Sequence, residues 1–191
     1  KRWILDYRRS DVKEYLLNVI DTIISKWGYQ LLKLDFLYAE YFNPEFNQTQ
    51  EPDQLLIEFL HTIRQKYPEV YTIGCGCPIR PTLGLVDAMR ISEDIVIPQL
   101  RNIPVLNKLI HTQRLNQLTT NLFHRGHLNK YYQLDPDVFI CDPVFGFSQA
   151  NVSHLLHLIL SSNGLKMLGD DLVHLDKEAV SKFLVPLFKS K

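Results

Sequence analysis

Lys33 and Asp35 stand two residues apart in Leu31-Leu32-Lys33-Leu34-Asp35-Phe36-Leu37. Alternate residues of a strand point to one face, so this spacing predicts an ammonium and a carboxylate side by side in an otherwise apolar strand. Burying such a pair is costly unless the two groups are paired or used. The pair therefore reads either as a structural ion pair at a sheet rim or as a reactive carboxylate steadied by a cation. A second grouping lies in Met89-Arg90-Ile91-Ser92-Glu93-Asp94-Ile95, just past another apolar run. An Arg there can hold hydroxyls or a carboxylate. A neighbouring carboxyl group becomes a proton donor where an apolar or anionic environment raises its pKa. The plainer reading of Glu93 and Asp94 is a pair of solvated loop acids.

Other groupings carry weaker chemistry. Asp135-Pro136-Asp137 offers oxygen ligands suited to Mg²⁺, but a turn begun by Asp135 and fixed by Pro136 is the simpler expectation. Cys75 and Cys77 flank Gly76 without the second Cys or His pair that a zinc site needs, and Cys141 stands apart from them. These thiols read as the lining of a strand end, where the glycines let a ligand approach the backbone. His124 and His127 have ligand-like spacing, but Gly126 between them weakens the helix and assigns both to a loop.

The elements that must position these residues alternate along the chain. Segment 10–27 sets Val12, Tyr15, Leu16, Val19, Ile20, Ile23 and Ile24 at helical spacing, with Ser10 to cap its start and Gly28 to close its end. A strand through 31–37 leads to a helix with Pro52 in its first turn and Leu55, Leu56, Phe59, Leu60 and Ile63 inward. Strands are expected at 70–73, 86–91, 138–141 and 165–168. Helices are expected over 102–123, interrupted at Pro104, then over 149–161 and over 176–189, bent by Pro186. With Trp3–Leu5 as a further strand, six strands alternate with helices, the pattern of a parallel sheet covered by helices. A complete (β/α)8 TIM barrel takes about 250 residues, or about 31 per unit, so 191 residues amount to about six units. The chain also opens inside a strand. The expectation is one partial barrel domain over 1–191, with the first two units missing.

Composition bounds the function. The chain balances 21 Lys and Arg against 21 Asp and Glu, which argues against a general nucleic-acid surface. It has no apolar run of the roughly 18–20 residues that span a membrane. Three cysteines, an odd number, fit a reducing, cytoplasmic setting better than a disulfide framework. Open sheet edges left by missing units would favour pairing with another chain, which makes a homo-oligomer an expectation.

Read together, these segments resemble the melibiase-type α-galactosidases of glycoside hydrolase family 36 and its clan. The resemblance is carried in order by Leu5-Asp6 and Asp11-Val12-Lys13-Glu14-Tyr15-Leu16, then by Lys33-Leu34-Asp35-Phe36 and Gly74-Cys75-Gly76-Cys77-Pro78. It continues through Asp87 to Ile95, Leu134-Asp135-Pro136-Asp137, and Ser162 to Leu172. It implies a retaining glycosidase acting on terminal α-D-galactosyl residues of oligosaccharides, without metal or organic cofactor. In that family the Asp of the Lys-x-Asp strand is the nucleophile, here Asp35, and the Asp four residues after the Arg is the general acid/base, here Asp94. Lys33 and Arg90 match positions that hydrogen-bond sugar hydroxyls, and Cys75 falls on a strand end where sugar-contacting residues occur. Some clan members carry a sugar-binding Glu near the point where this chain has Gly76.

A retaining course needs two carboxyl groups about 5–5.5 Å apart. Lys33 would favour the Asp35 anion, and that anion would in turn help to keep Asp94 protonated. Alternatives within the clan are an α-N-acetylgalactosaminidase or a transglycosylase. Outside it stand a catalytically inert carbohydrate-binding fragment and a metal-dependent phosphatase using Asp135 and Asp137.

Overall fold

A computed structural model describes residues 4–42, 52–97, 99 and 103–189. The chain divides into two compact units, Lys1–Met89 and Arg90–Lys191. Both are built from parallel strands and helices, so the α/β class expected from the sequence is what forms.

In the first unit, helix α1 (Ser10–Asp21) runs on through a π turn, Thr22–Lys26. Gly28 (φ +75°) closes it and donates its N–H to the Ile24 carbonyl. Ser10 does not cap this helix: it is the first helical residue, and the extended Arg9 takes the cap position without a side-chain bond. The inward face is also rotated from the expected stripe. Ile20 is buried with Leu17, Ile23 and Ile24 against it, whereas Tyr15 and Val19 are exposed. Apolar residues make up half of α1, so periodicity alone leaves its angular setting open.

Strand β1 (Leu31–Leu34), helix α2 (Pro52–Lys66) and strand β2 (Tyr71–Gly74) follow. β1 and β2 pair in parallel from Leu31 opposite Tyr71 to Leu34 opposite Gly74. Leu55, Leu56, Leu60 and Ile63 form the buried side of α2, and Ile63 joins Leu32, Tyr67 and Val70 in one core with α1. The four-residue helix α3 (Ile79–Thr82) leads to β3 (Ala88–Arg90), which continues the parallel register on β2. The strand expected at Trp3–Leu5 does not form in its described part, where Ile4 and Leu5 are exposed and outside any strand. Trp3 lies outside the described residues. Next to them the Asp6 carboxylate gathers the Arg8 amide and guanidinium, and the Arg9 N–H returns to the Asp6 carbonyl, making a turn.

The second unit opens on Arg90. Helix α4 (Pro104–Arg125) begins at Pro104 where an interruption was expected, because the first helical position needs no N–H donor. The strand expected at 138–141 is shortened to Val138–Phe139, and a strand that was not expected, Gln133–Asp135, precedes it; in chain order these are β4 (Gln133–Asp135) and β5 (Val138–Phe139). Pro136 lacks a ladder donor and Asp137 turns to φ +80°, which bends the chain between them. Helix α5 (Gln149–Ser162), capped by Ser148, crosses over to β6 (Met167–Leu168), parallel to β5. Gly164 lies so close to the Leu134 carbonyl oxygen that a Cβ there would stand 2.1 Å from it. The last segment is irregular as Pro186 predicts: α6 (Lys177–Ala179), a π turn over Val180–Leu184, and α7 (Val185–Lys189). Leu118, Leu134, Phe139, Leu155, Ile159 and Leu187 form its deepest core. No helix among the described residues is long and apolar enough to cross a membrane.

One carboxyl of the first unit is buried. The short turn Ala39–Phe42 carries Glu40 to 4% exposure, and its carboxylate oxygens make no well-formed hydrogen bond among the described residues. Burial raises its pKa from 4.5 to about 7, with the nearby Tyr7 amide pulling the other way. Between those pH values the unfolded chain has already released the proton that the folded chain keeps. Glu40 therefore supports the fold below pH 4.5, and that support is lost as pH rises to about 7. Urea midpoints measured across this range should decline less steeply in Glu40→Gln than in the wild type. Superimposable pH profiles would contradict the buried, proton-holding Glu40.

Candidate active site

The first unit assembles a cluster where β1 and β2 end. Asp35 follows the last residue of β1, and Phe36 next to it adopts φ +57°, so the chain turns sharply there. The Asp35 Oδ1 accepts the Phe36 N–H at 2.7 Å, which fixes the carboxylate against its own turn. The two strand exits stay together: the Cys75 N–H donates to the Leu34 carbonyl and the Tyr38 N–H to the Gly76 carbonyl, both at 2.8 Å. Lys33 in the strand and Asp35 just beyond its end are both exposed, while Leu32 is buried. The cost of burying a charged pair therefore does not arise. What this stretch supplies is an exposed cation and an exposed carboxylate beside apolar Leu32.

Gly76 makes the cluster possible. Its φ is +50°, and a Cβ there would meet the Tyr38 ring at 2.6 Å and lie 3.6 Å from Asp35 Oδ1. Tyr38 is thus a member of the site that the sequence reading passed over, although it sits three residues after Asp35 in a turn-forming stretch. Its ring meets Phe36 and Phe42 edge-on, with centroids 6.0 and 5.5 Å away. Cys75 is buried at the exit of β2, as its strand-end position implied. Burial pushes the half-buried Cys77 thiol up to about 12, which keeps it a protonated, weakly nucleophilic group at neutral pH.

The second unit organises itself around Arg90. This guanidinium is 6% exposed and contacts three carboxylates: Nε to Asp135 at 3.0 Å, Nη2 to Asp137 at 2.6 Å and Nη1 to Asp94 at 3.1 Å. Asp135 and Asp137 are buried, whereas the Asp94 side chain is 79% exposed. The expected turn at Asp135-Pro136-Asp137 does form, with the Asp137 N–H on the Asp135 carboxylate. The sequence reading missed its purpose, since the two acids of the turn hold the Arg of the other motif. The signal was present in the charges: two acids flanking Pro136 invite a search for a cation. Arg90 and Asp94 are thereby brought together. Through these carboxylates Arg90 ties the loop that carries Asp94 to the Asp135–Asp137 turn.

Other candidates are accounted for locally. Cys141 is buried, its S–H reaches Asp170 at 3.3 Å, and burial pushes its thiol up to about 12. The same Asp170 carboxylate accepts the Cys141 and Asp142 amides, joining the exits of β5 and β6. His124 lies in the last turn of α4 and His127 in the 3₁₀ turn that follows, so the helix does extend further than the sequence suggested.

No family model matches the chain. Solved structures do. TtGalA, an α-galactosidase from Thermus thermophilus in complex with stachyose, superposes with a TM-score of 0.74 at 22% identity, over 95% of this chain and 39% of that one. TtGalA with p-nitrophenyl α-D-galactopyranoside gives 0.75 at 22% identity, over 96% of this chain and 37% of that one. The chain has the fold of part of that enzyme. It spans less than two fifths of the matched protein's length.

The contacts of Gly76 define a measurement. Gly76→Ala pays for a left-handed backbone and for the clash with Tyr38, whereas Gly84→Ala, at φ +78° with nothing within 4 Å, carries the backbone strain alone. Chemical denaturation should find Gly76→Ala the more damaging by at least about 1 kcal/mol, with part of the difference recovered when Tyr38→Ala is added. Equal losses at the two glycines would contradict the packed arrangement of Gly76 on Tyr38.

Proposed function

We propose that this chain is part of the (β/α)8 catalytic barrel of a retaining α-galactosidase, with Asp35 as nucleophile and Asp94 as general acid/base. The observation that carries the reading is the coincidence of two findings. The fold follows an α-galactosidase over nearly the whole chain. Both acids of the matched motifs also stand just beyond the carboxyl ends of parallel strands, Asp35 after β1 and Asp94 on the loop after β3. Strand carboxyl ends are where barrel enzymes carry their chemistry.

In the proposed reaction the Asp35 carboxylate attacks the anomeric carbon while Asp94 gives its proton to the departing glycosidic oxygen. The bond to the aglycone breaks and a galactosyl ester forms on Asp35. Asp94, now a base, takes a proton from water as its oxygen attacks the same carbon, and Asp35 leaves as a carboxylate. Dividing one displacement into two conserves the anomeric configuration. Lys33, two residues before Asp35, is suited to binding a sugar hydroxyl and to favouring the carboxylate form. Cys75 is proposed as a further sugar neighbour at the exit of β2. Arg90 holds Asp94 directly, and its place in the matched motif makes it a proposed neighbour of a sugar hydroxyl. The substrate proposed is an oligosaccharide ending in α-D-galactose.

The test uses the protein encoded by the whole gene and a panel of nitrophenyl α-glycosides. The α-galactoside should be the best substrate, and Asp35→Asn should lower its turnover by several orders of magnitude with an unchanged circular dichroism spectrum. Near-normal turnover in Asp35→Asn rejects the assignment. Preference for an α-N-acetylgalactosaminide moves the enzyme within its clan.

A further inference from the structure

The loop that carries Asp94 is fastened along its length by the second unit. At its start the Ile91 N–H donates to the Asp135 carbonyl at 3.0 Å, and the Ile91 carbonyl accepts Arg125 Nη1 of α4 at 2.9 Å. Glu93 pairs with Arg114 of the same helix. Ile91 and Ile95 are both buried, so the two ends of the loop are sunk into the unit while Asp94 projects outward.

Asp137 spans these two ends. Its Oδ1 accepts Arg90 Nη2 at 2.6 Å, and its Oδ2 accepts the Ile95 N–H at 2.7 Å. The guanidinium held by Oδ1 is the one whose Nη1 reaches Asp94. One buried carboxylate therefore fixes the backbone just after Asp94 and the cation beside its side chain. Asp137 does this from φ +80°, a conformation that L residues rarely adopt and that Asn and Asp tolerate best. Burial pushes the Asp137 carboxyl above its usual range, and the Arg90 guanidinium pulls it back.

We propose that Asp137 is a positioning residue for Asp94, holding the acid/base carboxyl in line with the leaving oxygen through Arg90 and the Ile95 amide. The inference rests on the glycosidase reading above. An exposed carboxylate samples several rotamers, and a misplacement of about 1 Å at a reacting group can lower a rate about 100-fold. Asp137→Asn suits the test because Asn is nearly isosteric, accepts the positive φ, and keeps a single acceptor oxygen where two are needed.

A purely structural loss would slow all substrates alike. A misplaced proton donor slows those that need protonation most. In the whole-gene protein, Asp137→Asn should lower kcat/KM on an alkyl α-galactoside about 100-fold, while kcat/KM on p-nitrophenyl α-galactoside, whose leaving group departs without a proton, falls less than about tenfold. On the activated substrate kcat and KM should fall together wherever the second displacement, in which Asp94 is the base, limits turnover. Asp137→Glu, which retains the charge, should show the same skew in weaker form, and it reads the effect if the Asn variant melts at assay temperature. Equal slowing of both substrates in these variants, or no slowing, overturns the inference while wild-type activity leaves the glycosidase reading standing. A wild type that cleaves neither substrate rejects both.

Discussion

A nearly dehydrated guanidinium cannot be left without partners, and Arg90 shows what that demand imposes on its surroundings. Removing one partner from a buried ion group costs about 3–5 kcal/mol, which is a large share of the stability of any small domain. Asp135 and Asp137 meet the demand from opposite sides of Pro136, and meeting it bends the chain there. The bend separates β4 from β5 and gives Asp137 its positive φ. Asp94 takes up the remaining edge of the same cation from the solvent side. A structural requirement at the end of β3 thus determines where an exposed carboxylate can stand.

The first unit reaches a comparable result with backbone geometry in place of charge. Phe36 and Gly76 both adopt left-handed conformations just beyond their strands, and the turn they form sets Asp35, Tyr38 and Gly76 against one another. The strands contribute direction and spacing, and the turns contribute the final aim of the side chains. In this division of labour rigid parallel strands carry loops that can vary.

Much of this was legible in the residues because it depends on local pattern. Gly28 ended the first helical segment, and the apolar run of α2 named its buried side almost residue for residue. The misses share a different cause. The rotation of α1 and the turn at Asp6 depend on what packs or bonds nearby, which local sequence does not encode. The Arg90 cluster is the clearest case: its two buried acids lie 45 and 47 residues away from it, so they read as a turn alone until the fold closes that distance. Lys33 and Asp35 were legible in position but not in environment, for alternation tells which face and not whether that face is covered.

As the proposed nucleophile, the Asp35 carboxylate forms a covalent bond to an anomeric carbon. Incubating the whole-gene protein with a fluorinated galactosyl fluoride, which slows hydrolysis of a glycosyl ester, should trap that bond for peptide mapping by mass spectrometry. One added sugar is expected on the peptide that contains Asp35, located at that residue by fragmentation. A stable adduct on any other residue, with Asp35 unmodified, would contradict it.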